Sequence, residues 1–212
     1  MLRQTVQTGI ASLDERLHGG IPPGSIVALT ARPTSQSEQF LAQLVQNRPV
    51  LYLTTQRPAA EVRDGLAYAM RDGTSGSTCT IRDVDHYAPF ASIRRLLDEL
   101  GDHSILVVDT TNPFESGDEK QLQMLLNYLQ RRLRETDSVA FLHCIEGHSV
   151  PANRDTTEYM ADVVFDLDTT VYGDSIENRL FVPKMRRGEP VTKAIKLDLT
   201  RGVTIDTSRD IS

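Results

Sequence analysis

Between Gly24 and Gly65 the chain contains no glycine and no lysine. That stretch has no residue that adopts φ > 0 without steric cost and no ammonium group to meet a phosphate, so a tight backbone cradle for an anion is disfavoured there. Lysine is scarce throughout, limited to Lys120, Lys184, Lys193 and Lys196, while arginine and aspartate are plentiful, a bias that suits a salt-adapted organism. Aromatic residues make up 6% of the chain and few fall in loops, which works against a surface that stacks on single-stranded nucleic acid. The two cysteines, Cys79 and Cys144, sit in apolar, strand-like contexts without metal-ligand spacing and read as buried reduced thiols. No apolar run approaches the length of a bilayer span and no basic leader opens the sequence, so a soluble cytoplasmic protein with no membrane partner is expected.

The 212 residues, 39% of them hydrophobic, suit one globular domain with a sizeable core. The excess of 29 acidic over 23 basic residues, a formal charge of -6, argues against a generally basic nucleic-acid-binding surface. Short apolar runs at 26–30, 50–54, 79–81, 105–109 and 139–143 suit buried parallel strands. Between them lie helical stripes: Val62, Leu66 and Ala69 after Pro58, then Ile93, Leu96, Leu97 and Leu100, then Leu122, Leu125, Leu126, Leu129 and Leu133. Past Met160 strands at 162–168, 179–183, 194–199 and 203–205 follow one another, with Tyr172-Gly173-Asp174 as a turn. The polar, turn-rich stretches 72–77 and 146–155 are the expected flexible segments. Alternating β and α followed by a run of strands fits an α/β sheet extended by antiparallel strands.

The most specific pattern is the lead-in. Thr8-Gly9-Ile10, Leu13-Asp14, Leu17 and Gly19-Gly20-Ile21-Pro22-Pro23-Gly24-Ser25 precede the first apolar run. This resembles the start of RecA-superfamily ATPase domains of the KaiC and RadA type, including archaeal KaiC-like domains, where TGIxxLDxxLxGGIPxGS leads into the first core strand. The resemblance extends from about Thr8 to about Ile205. It implies a RecA-like, P-loop NTPase type, three-layer α/β/α fold with a mostly parallel central sheet extended by C-terminal antiparallel strands. A single domain over 1–212 follows, with lead-in 1–25, α/β core 26–160, C-terminal strands 161–206 and tail 207–212.

The resemblance further implies a G-x-x-x-x-G-K-[ST] loop whose amides, lysine and hydroxyl hold phosphates and magnesium. The chain instead reads Ala31-Arg32-Pro33-Thr34-Ser35-Gln36-Ser37-Glu38, so Ala31 and Gln36 replace the glycines, Ser37 the lysine and Glu38 the hydroxyl residue. Ser35 and Glu38, three residues apart before an apolar stripe, read as a capping box that occupies the helix end. Asp109 stands where the Walker B aspartate supports magnesium in the family. Its alternative role is to cap the turn that carries Asn112-Pro113. Gln56 and Arg57 stand where active relatives commonly carry two glutamates, and neither is a carboxylate base.

Lys184 and Arg186 match the Lys-x-Arg segment that, in assembled KaiC-like rings, reaches the neighbouring subunit's nucleotide. They are the candidate trans-acting or interface residues, with solvated basic turn as the alternative. His143-Cys144 and His148 lack companions at zinc spacing, and Ser12, Ser35 and Ser37 lack a nearby histidine–acid pattern that would suggest a hydrolase. Asp166 and Asp168 alternate on one strand face and read as solvated. Arg131, Arg132 and Arg134 complement a helix C-terminus.

Together the losses point to a non-catalytic pseudoenzyme without cofactor, a regulator, adaptor or assembly protein in signalling or DNA maintenance. Its partner would be a protein, either an active RecA/KaiC-like relative or a second copy. One alternative is an atypical nucleotide-binding switch or ATPase, with ATP and magnesium held by Arg32, Thr34, Ser35, Ser37 and Asp109. Another is a recombinase-paralogue-like DNA-repair accessory, which the net acidity disfavours.

Overall fold

The apolar runs of the first two-thirds of the chain become strands covered on both faces, because each is followed by a helix that crosses back over the sheet. The structure, a computed structural model, describes residues 5–46, 48–69, 78–189, 191–199 and 203–205. In chain order the elements are α1 (Ala11–Arg16), β1 (Ile26–Ala31), α2 (Ser37–Leu44), β2 (Val50–Thr54), α3 (Ala59–Ala69), β3 (Cys79–Asp83), α4 (Pro89–Leu96) and β4 (Ile105–Asp109). Then come α5 (Asn112–Glu115), α6 (Glu119–Glu135), β5 (Val139–Ile145), α7 (Arg154–Met160), β6 (Val163–Tyr172), β7 (Ser175–Met185), β8 (Ile195–Asp198) and β9 (Thr204–Ile205). Among the described residues the strands form a nine-stranded sheet in the order β3-β2-β4-β5-β1-β6-β7-β8-β9. β3 through β6 in that order run parallel, and β7, β8 and β9 add on antiparallel.

Alternate residues along each strand enter opposite cores. Val27 and Leu29 of β1 pack with Leu13, Phe40, Leu41, Val62 and Leu66, under α1, α2 and α3. Ile26 and Ala28 pack with Ile93, Leu96, Phe114 and the α6 stripe on the other face. The expected three-layer α/β/α arrangement with an antiparallel extension is therefore the observed one.

The lead-in motif is held by its own residues. Asp14 accepts hydrogen bonds from the Thr8 amide at 2.7 Å and the Thr8 hydroxyl at 2.9 Å, while Val6 bridges to Ile21. Gly20 sits at φ 118°, and a Cβ there would run into the Val6 carbonyl, so the second glycine is a steric requirement of that bridge.

Three expectations need correction. The β6–β7 hairpin is longer than expected, reaching Tyr172 and restarting at Ser175. Its outer rungs are mostly polar, Thr169 opposite Asn178 and Thr170 opposite Glu177 with Val171–Ile176 the one apolar pair, so no sustained apolar alternation announced them. Pro183 lies beside the register shift at Val164/Asp166, where a missing ladder donor is tolerated. The stretch 146–155 ends not in loop but in α7, whose Arg154 is 3% exposed. Cys144 is buried as expected, but Cys79 is only half-buried. The stretch 72–77 lies outside the described residues. No described helix is long and apolar enough to cross a membrane.

Candidate functional site

In an open α/β sheet, chemistry concentrates at the carboxyl ends of the parallel strands, because the strand-to-helix loops converge there. Here the central strands β4, β5 and β1 end in Asp109, in His143 to Ile145, and in Ala31 with the loop leading to Ser37. Asp109 and His143 are register partners, so two polar side chains close neighbouring apolar strands at the same level.

A continuous polar chain runs through this point. His143 Nδ1 lies 2.7 Å from Asp109 Oδ1, and its Nε2 lies 3.0 Å from Ser37 Oγ. The Tyr52 hydroxyl donates to Asp109 Oδ2 at 2.7 Å, and Arg57 Nη2 donates to the same oxygen at 3.0 Å. Arg57 Nη1 reaches Glu38 Oε1 at 2.9 Å, so one guanidinium bridges the start of α2 and the end of β4. Ser37, His143 and Asp109 are 3%, 3% and 5% exposed, which puts the chain beneath the surface, while Glu38 and Arg57 close it on the solvent side.

Burial alone would raise the Asp109 carboxyl. The hydrogen bonds of His143 and the Tyr52 hydroxyl, with the Arg57 guanidinium, outweigh it and hold the group at about 2. Burial, reinforced by Asp109, pushes the Tyr52 hydroxyl well above its ordinary value, so Tyr52 stays a donor. Burial opposes the charge of Arg57, but Asp109 and Glu38 prevail and raise it.

These contacts correct the local readings. Gln36, not Ser35, is the residue before α2, and the Gln36 side chain makes no capping hydrogen bond. Ser35 Oγ accepts from the Ser37 amide at 3.3 Å, and Glu38 turns outward to Arg57. Asp109 does not cap the following turn. Asn112 instead ties the start of α5 to the end of β5, its side-chain amide donating to the Ile145 carbonyl at 2.8 Å and its oxygen accepting from the Ile145 amide at 2.9 Å. Ser37 does have a histidine and an acid as neighbours, brought from 106 and 72 residues away along the chain. Arg32 and Thr34 are exposed and, with Gln36, border a groove of about 410 Å³ facing Thr169, Thr170, Val171 and Ile176 of the hairpin. Asp166 is half-buried and accepts from Thr30 Oγ1 at 3.1 Å, so it is not simply solvated.

The donor set does not fit a magnesium-bound phosphate. The ammonium position is a hydroxyl engaged by His143, both Asp109 oxygens already carry partners, and a carboxylate stands in the first turn of α2. Among the described residues no group of three or more His, Cys, Asp or Glu is placed to hold a metal ion.

Beside the site lies a second buried ionic knot. Arg154 Nε donates to both Glu115 oxygens at 2.9 and 3.0 Å, its Nη2 donates to Glu115 Oε2 at 2.7 Å, and its Nη1 reaches Glu146 at 3.0 Å. Glu115 is fully buried, and Cys144 Sγ sits 3.7 Å from it, its thiol pushed well up by burial and then by Glu115. Lys184 and Arg186 lie elsewhere, at the end of β7 and against the last turn of α7. Lys184 Nζ donates to the Glu158 and Tyr159 carbonyls at 2.6 and 2.8 Å, and Arg186 Nη2 to the Tyr159 carbonyl at 2.6 Å. Both stand over the Tyr159 ring, and burial followed by Arg186 lowers the Lys184 ammonium.

Comparison with known proteins agrees with this architecture. The crystal structure of KaiC-like protein PH0186 from the hyperthermophilic archaeon Pyrococcus horikoshii OT3 superposes with a TM-score of 0.74, covering 97% of this chain and 100% of that one at 20% identity. The fold is thus that of a KaiC-like RecA-type domain. UPF0273 protein PF1931 of Pyrococcus furiosus is 23% identical over 94% of this chain and 93% of its own length. UPF0273 protein PH0284 of Pyrococcus horikoshii is 37% identical over 31% of this chain and 29% of its own length. A family model described as "Family of unknown function (DUF7125)" matches residues 5–212, and the chain belongs to that family.

Proposed function

We propose that this chain is a KaiC-like domain whose ancestral nucleotide pocket is closed from within and which acts through protein contacts, as a regulator, adaptor or assembly partner in signalling or DNA maintenance. The observation that carries the reading is the bridge of Arg57 between Glu38 and Asp109, backed by His143 between Asp109 and Ser37. Magnesium at Asp109 would have to displace a guanidinium and an imidazole from a buried carboxylate. Phosphate at the start of α2 would meet the Glu38 carboxylate in place of a cation. Gln56 and Arg57 leave no carboxylate base for an attacking water.

The partner is an ATP-binding KaiC-like relative or a second copy of this chain, and the Lys184–Arg186 strand end under the exposed Tyr159 is the part offered to it. A second reading, a nucleotide-binding switch, rests on Arg32 and Thr34 bordering the 410 Å³ groove. Calorimetric titration with magnesium-ATP and magnesium-ADP at low and high salt separates the two. The closed pocket gives no saturable heat, with any Kd weaker than about 1 mM, where binding is worth only ~4 kcal/mol. Micromolar binding that Asp109→Ala abolishes would overturn the proposal. Micromolar binding that survives Asp109→Ala and is lost with Arg32→Ala would establish the second reading.

A further inference from the structure

The polar chain that closes the pocket has a chemical polarity of its own. We propose that Ser37 is a nucleophile toward activated acyl esters, with His143 as its general base and Asp109 as the carboxylate that orients the imidazole. The distances are those of a working hydrogen-bonded relay, 3.0 Å from Ser37 Oγ to His143 Nε2 and 2.7 Å from His143 Nδ1 to Asp109 Oδ1. With the ring neutral, ionised Asp109 accepts a hydrogen bond from Nδ1–H, which leaves the Nε2 lone pair aimed at Oγ and makes the Ser37 hydroxyl the donor. Tyr52 and Arg57 hold the other Asp109 oxygen, so the oxygen facing His143 is fixed in place.

The placement supports the same assignment. Ser37 opens α2 directly after β1 and its loop, while Asp109 ends β4 and its register partner His143 lies in the last part of β5, the next two strands over. A strand, a turn and then a serine at a helix start put the serine where first-turn amides have no intrahelical partners. The Glu38 amide, which follows Ser37 in that turn, is the donor assigned to a developing oxyanion. The order of the three residues along the chain, Ser, Asp, His, is also that of the serine hydrolases built on parallel α/β sheets.

The step balances without a redox partner. Ser37 Oγ bonds to the ester carbonyl carbon as its proton passes to His143 Nε2, and collapse breaks the bond to the leaving alcohol, which takes that proton. Water then attacks the acyl-Ser37, giving a proton to Nε2, and Oγ leaves with that proton, so the products are a carboxylic acid and an alcohol. Because Ser37 is 3% exposed, only a slim electrophile reaches it, along the loop Arg32 to Gln36 that precedes it, in which Ser35 alone is half-buried. The substrate class is therefore an ester or thioester of a short acyl group. None of this requires or forbids nucleotide, so its outcome is separate from the titration above.

The test uses the full chain with a fluorophosphonate probe, followed by intact mass and peptide mapping, and with 4-nitrophenyl acetate hydrolysis. The expected result is one adduct per chain on the peptide carrying Ser37, none in Ser37→Ala, and ester turnover lower by at least about a hundredfold in His143→Gln, the usual worth of a positioned base. Mapping the adduct on the wild-type protein needs no variant to fold, and thermal melting checks that Ser37→Ala does. No adduct, an adduct on another residue, or hydrolysis equal in wild type and Ser37→Ala overturns the proposal and leaves the three residues a purely structural network.

Discussion

At the residue scale, Asp109 shows how much of the site could be read in advance. A carboxylate closing the apolar run 105–108 was visible, and so was a histidine closing 139–142, but their meeting depends on β4 and β5 being register neighbours. Two polar residues that each end an apolar parallel strand are a usable signal once strand order is known. Tyr52 and Arg57 gave no such signal, because Tyr52 looks like an ordinary core aromatic and Arg57 like a solvated loop cation. The consequence is measurable. The Asp109 carboxyl is held at about 2, below its ordinary 3.8, so the folded protein binds that proton less readily than the unfolded chain. Its stabilisation is fully present above pH 4 and is lost as pH falls through 4 towards 2, and it amounts to roughly 2 kcal/mol. Urea unfolding of wild type and Asp109→Asn from pH 6 to pH 2.5 should show the stability gap narrowing by about that amount across the window. A gap that stays constant with pH would mean that Asp109 is not a strongly stabilised carboxylate.

At the scale of elements, local rules failed where tertiary ion pairs competed with them. The Ser35-x-x-Glu38 pattern is a sound capping signal worth about 1 kcal/mol, yet Arg57 from the β2 exit claims the glutamate. α5 and α7, of four and seven residues, are too short to show a helical apolar period, so neither was expected. What fixes them is the Glu115–Arg154 pair, made of residues whose charge usually signals surface. The pair ties α5 to α7 and both to the β5 exit through Glu146 and the Ile145 carbonyl. Arg154→Met strands a fully buried carboxylate and should cost about 3–5 kcal/mol, whereas the double change Glu115→Gln, Arg154→Met should cost clearly less. Urea midpoints of the two single variants and the double variant close the cycle. Additive losses would show that the two side chains stabilise these helices separately.

At the scale of the whole molecule, the alternation of apolar runs and helical stripes carried the architecture, because parallel strands buried on both faces leave an unambiguous pattern. Topology was legible only through the lead-in motif, since periodicity does not say that β6 returns to lie against β1. That return makes the last third of the chain part of the core rather than an appendage. β1 has β5 on one side and β6 on the other, and Asp162 accepts the Ile26 amide at 3.0 Å just before β6 begins. Phe165 of β6 is fully buried and meets Phe40 of α2 edge-on, with centroids 6.0 Å apart, while Leu167, Leu180 and Val182 fill the same face. A chain ending at Met160 would open one whole edge of β1 and remove those side chains from the core beneath α2. The exposed edge and apolar face then favour association over folding. Such a truncation should lack a cooperative thermal transition by circular dichroism and elute as aggregate in size exclusion. A monomer that melts cooperatively would show instead that the α/β part is independent of the strands that follow it, and that the site at β4, β5 and β1 is assembled without them.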